Sequence, residues 1–232
     1  MNWGAVVVAA GRGTRMGAGE NKPYLMLAGR TVLAHTLEAF ERCAAVTSII
    51  LVVTPGEQKK AAEIIGHEGF GKVSLIIPGG AERQDSVYAG LAALDTEGAL
   101  VHDAARPLVT SKQITACCRA AEEHGASALA VPVKDTIKVS DGNGFIVATP
   151  ERRTLWSVQT PQAFLRLELM QAHRQAQEEG ASATDDAMLL ERLGRKVAIV
   201  EGDYANLKIT TPEDLPIAEL LLARRLGEEQ PK

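Results

Sequence analysis

Residues 5–22 read AVVVAAGRGTRMGAGENK. The unbroken Ala and Val run over 5–10 marks a strand buried on both faces. It passes straight into glycine-rich backbone that carries Arg12, Arg15 and Lys22. Glycine lets backbone N–H groups approach an anion closely, and clustered cations need countercharges, so the segment reads as a polyphosphate loop. The competing reading is a plain strand-to-helix turn. A Walker loop is excluded, because Gly11 and Gly17 stand one residue too far apart and Ala18 follows. The dinucleotide fingerprint is also incomplete: Gly11 and Gly13 fit, but Met16 fills the third position.

Outward from this loop, short apolar runs alternate with helical spacing. Strands are expected at 5–10, 48–53, 73–77, 99–102, 126–131 and 197–200. Helices are expected at 31–42, 57–65, 84–94, 111–123, 164–178 and 185–193, with a terminal helix at 212–226 that Thr211 caps and Pro212 opens. Such alternation predicts an α/β fold with a mostly parallel sheet and helices on both faces, its ligands at the carboxyl ends of the strands. Residues 134–157 break the pattern. Two β-like runs, 136–139 and 145–148, flank Asp141-Gly142-Asn143-Gly144, a hairpin signal. The reading is one domain over 1–232 with a protruding β-hairpin arm at about 134–157, an arm that suits a grip on another subunit or a simple edge extension.

Composition narrows the function. Hydrophobic residues make up 46% of 232 residues but aromatics only 4%, so aliphatic side chains must fill the core. A net charge of −4 argues against a nonspecific nucleic-acid or membrane-surface binder. Cys43, Cys117 and Cys118 form neither a disulfide framework nor a zinc spacing, which points to a reducing, cytoplasmic setting. No signal sequence or membrane-length apolar run is read.

Three further stretches carry chemistry. Pro78-Gly79-Gly80-Ala81-Glu82-Arg83-Gln84-Asp85-Ser86 follows the third strand and opens a helix. Its glycines permit approach to a planar ligand edge, and Ser86 offers a hydroxyl. A tight turn with Asp85 or Ser86 starting the helix is the plain alternative. His102-Asp103-Ala104-Ala105-Arg106-Pro107 follows the fourth strand. An Asp there is a natural magnesium ligand beside phosphates, Arg106 can fork onto a phosphate, and His102 reads as a hydrogen-bonded core histidine. Thr184-Asp185-Asp186 reads equally well as a helix cap. No nucleophile–base pair with recognisable spacing is present, so the inventory of glycine backbone, Arg, Lys and one Asp suits phosphoryl or nucleotidyl transfer.

Taken together, AAGRGTRMG with Lys22, GGAERQDSV, HDAARP, an arm ending in Arg152, TPQ and NLKIT resemble, in order and spacing, the 2-C-methyl-D-erythritol 4-phosphate cytidylyltransferase family over nearly the whole chain. The resemblance implies a Rossmann-like nucleotidyltransferase, CTP and methylerythritol phosphate as substrates, magnesium or another divalent cation, and a homodimer with interlocking arms. It implies that Arg15, Lys22 and Lys208 are catalytic, neutralising the triphosphate and the transition state. Ala9, Ala10, Gly11 and Gly13 would line the nucleotide, Gly80 and Ser86 would face cytosine and ribose, and Ala104 belongs to the same group. Asp103 would hold the metal. Arg106, Thr136, Arg152, Thr160 and Thr184 would bind the acceptor, Thr136 and Arg152 from across the dimer. Two positions depart from the family's habit: Pro23 stands where Gln is frequent, and Ala81 where an acid is frequent. A cytidylyltransferase for ribitol 5-phosphate or another polyol phosphate, and a non-catalytic nucleotide sensor, are the alternatives.

Overall fold

A computed structural model describes residues 1–11 and 21–228. Chain order begins with β1 (Trp3–Ala9), a short 3-10 turn at Lys22–Tyr24, the small hairpin β2 (Met26–Leu27) and β3 (Arg30–Thr31), then α1 (Val32–Glu41) and β4 (Val46–Val53). It continues through α2 (Gln58–Glu68), β5 (Val73–Pro78), α3 (Arg83–Ala93), β6 (Gly98–Asp103), α4 (Ser111–His124) and β7 (Ala126–Pro132). The remainder is β8 (Val139–Ser140), β9 (Ile146–Ala148), β10 (Trp156–Leu165), α5 (Arg166–Glu178), α6 (Asp186–Arg192), β11 (Ala198–Glu201) and α7 (Asp214–Glu228).

The main sheet runs β11-β7-β10-β6-β1-β4-β5. Its strands are parallel except β10, which is antiparallel to both neighbours. Strand periodicity explains why the apolar runs are continuous. Ala5, Val7, Ala9, Ile49, Leu51 and Val53 point to one face, where Leu33, Leu37 and Phe40 of α1 and Ile114, Cys117 and Cys118 of α4 cover them. Val6, Ile50 and Val52 point to the other, under Val87 and Leu91 of α3 and Leu169, Leu189 and Leu190 of α5 and α6. A smaller cluster joins Leu27, Val32, Leu108 and Ile209 to Ala218 and Leu222 of α7. Local chemistry sets the helix ends: Thr31 caps α1 by accepting from the Ala34 N–H at 3.1 Å, and Thr110 and Gln113 form a capping box on α4.

The six expected strands are present within two residues of their expected ends. β10 is the departure. The sequence places the end of the arm and the start of a helix there, yet residues 156–165 form a strand and α5 begins at Arg166. Its polar run hides it. Gln159, Thr160 and Gln162 are buried, each paired by its side chain, and Pro161 sits within a register shift between Val158 and Gln162. The arm is a hairpin as expected, though shorter: β8 and β9 pair through Val139↔Ala148 and Ser140↔Ile146. Asp141 closes its turn by accepting from the N–H groups of Asn143 and Phe145, both at 3.0 Å.

Moving outward from β1, the chain adds β4 and β5 on one side and then β6 on the other. This reversal opens a crevice at the carboxyl ends of β1, β4, β5 and β6. α3 lies close over that end of the sheet, because a Cβ on Gly90 would run into Val6 and Val52. Gly90→Ala is expected to destabilise the fold by about 1–3 kcal/mol, read as a lower urea midpoint at unchanged m-value; an unmoved midpoint would show that α3 is free to give way.

Candidate active site

The crevice is a cleft of about 780 Å³, within the usual range for a small-molecule site. Its walls are strand ends: Val8 and Ala9 closing β1 with Ala10 and Gly11 after it, Thr54 after β4, Gly79 and Gly80 after β5, and Asp103 closing β6. Lys22 and Lys208 line it from opposite segments of the chain, with Arg83 and Ser86 from α3. The glycine turn is held from within. Gly80 N–H donates to Ser86 Oγ at 3.1 Å, and the Ser86 hydroxyl donates to the Glu82 carbonyl at 3.1 Å. A Cβ on Gly79 would collide with Ala10, so the turn after β5 meets the end of β1 only because this position has no side chain. Pro23 enters the 3-10 turn that presents Lys22, where its fixed φ suits a helical start and its missing N–H costs little.

Asp103 is the electrostatic centre. Lys208 Nζ donates to its Oδ2 at 2.7 Å and Arg83 Nε to its Oδ1 at 3.2 Å. Burial alone would push this carboxyl up, but Arg83 and Lys208 outweigh it and hold the group well below the usual carboxylate range. The backbone is fixed too, since Asp103 N–H donates to Thr160 Oγ1 at 3.1 Å. The Arg106 carbonyl can only accept, which puts the proton of the neutral His102 ring on Nε2 and leaves Nδ1 to accept from the Thr160 hydroxyl, 3.0 Å away. His102 Nε2–H then donates to the Arg106 carbonyl at 3.3 Å. Neutral imidazole satisfies both contacts, and burial pushes the His102 pKa down to about 3. His102 is a core histidine, as its sequence position suggests.

The structure gathers Ala9, Ala10, Gly11, Lys22, Gly80, Ser86, Asp103 and Lys208 around one cleft. Ala104 is buried beside it, its N–H on the Val8 carbonyl. Thr160 lies beneath Asp103. Arg106 flanks the site, with Nη1 donating to the Asn206 carbonyl at 2.8 Å while its buried Nε has no partner among the described residues. Thr136, Arg152 and Thr184 are exposed and do not line the cleft; Arg152 donates to the Lys134 carbonyl at the base of the arm. Gly13 and Arg15 lie outside the described residues. Sequence reasoning passed over Arg83, although it stands in the glycine turn at a strand end, and over Gln162. Gln162 donates to Asp185 at 2.8 Å and accepts from Ala187 N–H at 3.1 Å, tying β10 to α6.

A mostly parallel sheet with a glycine-walled, cation-lined cleft at its switch point defines a Rossmann-like, nucleotide-binding α/β protein. The sequence profile described as 2-C-methyl-D-erythritol 4-phosphate cytidylyltransferase matches residues 4–224. The protein of that name from Pelotomaculum thermopropionicum is 53% identical over 226 residues, covering 96% of this chain and 95% of the relative. That from Caldanaerobacter subterraneus is 49% identical, covering 97% of this chain and all of the relative. Among solved structures, the 4-diphosphocytidyl-2C-methyl-D-erythritol synthase of Anaerococcus prevotii superposes with a TM-score of 0.86 at 32% identity, covering 96% of each chain. The 2-C-methyl-D-erythritol 4-phosphate cytidylyltransferase of Thermus thermophilus gives 0.77 at 35%, covering 94% of this chain and 98% of that one. The chain belongs to the 2-C-methyl-D-erythritol 4-phosphate cytidylyltransferase family.

The His102 contacts set a pH dependence. The unfolded imidazole takes its proton near the ordinary value of 6.5, the folded one only near 3. Between these the unfolded chain binds the extra proton, so stability falls as pH is lowered from 6.5, by up to about 1.4 kcal/mol per pH unit. Urea midpoints between pH 6.5 and 5.5, where most carboxylates stay ionised, are expected to fall more steeply for the wild type than for His102→Gln. Equal slopes would show that the ring carries no such penalty.

Proposed function

We propose that the cleft transfers the CMP moiety of CTP to 2-C-methyl-D-erythritol 4-phosphate, giving 4-diphosphocytidyl-2-C-methyl-D-erythritol and pyrophosphate. The observation that carries this reading is the meeting of Asp103, Lys208 and Arg83 with Ala10 and Gly11 after β1 and the glycine pair after β5 in one cleft. Backbone at Ala9, Ala10, Gly11 and Gly13, with Ala104 nearby, receives the nucleotide; Gly80 and Ser86 face its base and ribose.

The acceptor's phosphate attacks the α-phosphorus in line and pyrophosphate leaves. A phosphomonoester has its second pKa near about 6 and is already an anion at neutral pH. No general base is needed, in keeping with the lack of one in the sequence inventory. The obstacle is charge. Two like charges at 4 Å repel by about 1 kcal/mol in bulk water and about 4 kcal/mol at the effective dielectric near a protein surface. Arg15, Lys22 and Lys208 offset that repulsion as negative charge builds on the α-phosphate. Asp103 suits a divalent cation such as magnesium, which takes one or two carboxylates and fills its shell with phosphate oxygens and water; when bound it would neutralise phosphate charge. A buried carboxylate that attracts two side-chain cations has the chemistry for that role.

Arg106 takes the acceptor side, and its buried Nε, without a partner among the described residues, supports a ligand there. Thr184 joins it. For Thr160 the occupied hydroxyl supports a part played through Asp103. We further propose that the chain acts as one domain over 1–232 and pairs with a second copy through the arm at 134–157, bringing Thr136 and Arg152 to the partner's cleft. Phe145, Ile146 and Val147 support this, standing exposed on a thin hairpin, Phe145 at 71%. A cytoplasmic setting suits three buried, unpaired cysteines. Among the described residues no helix is long and apolar enough to cross a membrane.

Pyrophosphate release with CTP and magnesium tests the activity, with methylerythritol 4-phosphate and ribitol 5-phosphate offered in parallel. Turnover with the former alone is expected, and turnover with the latter alone would reassign the acceptor. Lys208→Ala and Lys22→Ala are expected to fold and to lose roughly 100- to 1,000-fold in kcat, with a smaller change in KM for CTP. Phe145→Asp is expected to sediment as a monomer with a raised KM for the acceptor; a variant that stays dimeric would take the arm out of the interface.

A further inference from the structure

Behind the cleft lies a buried charged group that the reaction itself does not use. Asp186 opens α6 and is 1% exposed. It is not the helix cap, because Asp185 fills that position and accepts from Met188 N–H at 3.0 Å. Its Oδ2 accepts from Arg83 Nη1 at 2.8 Å and its Oδ1 lies 3.2 Å from His173 Nε2, on a ring that is itself buried. The same guanidinium reaches forward with Nε to Asp103. One planar side chain therefore bridges two buried carboxylates, Asp103 at the cleft wall and Asp186 behind it. Arg suits this because its donors are rigidly spaced, whereas a Lys in its place would offer a single charged centre on a flexible stem. Asp186 is in turn held still, since Gln162 fastens the start of α6 to β10 through Asp185 and Ala187.

We propose that Asp186 is a positioning residue: it anchors the Arg83 guanidinium from behind, keeps its Nε on Asp103, and so fixes the carboxylate that receives the metal-bound nucleotide. Without its charge, Arg83 keeps a single carboxylate partner and is free either to compete for Asp103 or to swing into the cleft. Loss of an outer partner of this kind commonly weakens metal affinity 10- to 100-fold. The inference rests on the proposed place of nucleotide and metal at Asp103.

The test is calorimetric titration of the full chain with CTP at stepped magnesium concentrations, without acceptor, so that no turnover occurs. Asp186→Asn keeps the shape and removes the charge. The magnesium concentration for half-maximal CTP binding is expected to rise about 10- to 100-fold, while kcat at saturating magnesium and CTP falls less. In an Arg83→Gln background the same change is expected to add nothing, because the two residues act as one unit. A wild-type magnesium midpoint in Asp186→Asn, or an equal shift with Arg83 already absent, would overturn the inference. Should Asp186→Asn fail to fold, Arg83→Lys serves instead: it keeps the charge but cannot span both carboxylates, and an unmoved midpoint would again overturn it. Wild-type binding that ignores magnesium would instead overturn the assignment of Asp103 itself, and this inference with it.

Discussion

The structure is organised around one buried negative charge. Asp103 stands at the last position of β6, where the sheet's order reverses and the cleft opens. A carboxylate there is costly unless matched, and the match comes from distant segments: Lys208 after the last strand, Arg83 from the first turn of α3, and the Thr160 hydroxyl on the backbone N–H. Each of these imposes a demand of its own. Arg83 must be met by Asp186, Thr160 must be delivered by β10, and Lys208 must be held by the segment that leads into α7. The Ile209 N–H on the Ala105 carbonyl ties that segment beside β6. Much of the chain's second half can be understood as what it takes to keep this charge where it is.

The aliphatic framework was legible because the strands of a parallel sheet share one signature, short apolar runs between helical periods. β1, β4, β5, β6, β7 and β11 all carry it, and the helices that cover them show the expected spacing. β10 carries none. Its buried stretch opens with Gln159, Thr160 and Gln162 before reaching Ala163 and Phe164, and the polar three tolerate burial only because partners far along the chain satisfy them. A local reading meets polar residues and a proline and finds a loop.

The candidate site divides along the same line. Residues whose backbone does the work, in the glycine turns after β1 and β5, announce themselves through composition. So does Asp103, an acid at the end of an apolar strand. Side chains that act through another side chain do not. Arg83 and Asp186 are 103 positions apart, and nothing local distinguishes Asp186 from Asp185 beside it, although one is a helix cap and the other a countercharge. Lys208 was singled out by family resemblance rather than by spacing. A lone lysine after a strand has no signature until the carboxylate it faces is known.

The arm and β10 form one continuous ribbon. Val133 N–H donates to the Leu155 carbonyl at its root, and Trp156 pairs with Pro132 where it enters the sheet. Side chains along a strand alternate faces with a period of two residues. Adding or removing a residue near the Asp141–Gly144 tip changes only how far the ribbon projects. The same change between Trp156 and Thr160 would rotate every later side chain half a turn, swinging Thr160 off Asp103 and Gln162 off α6 together. Homologous sequences should therefore vary freely in length at the tip and hardly at all at the root, a pattern of gaps that marks where reach ends and register begins.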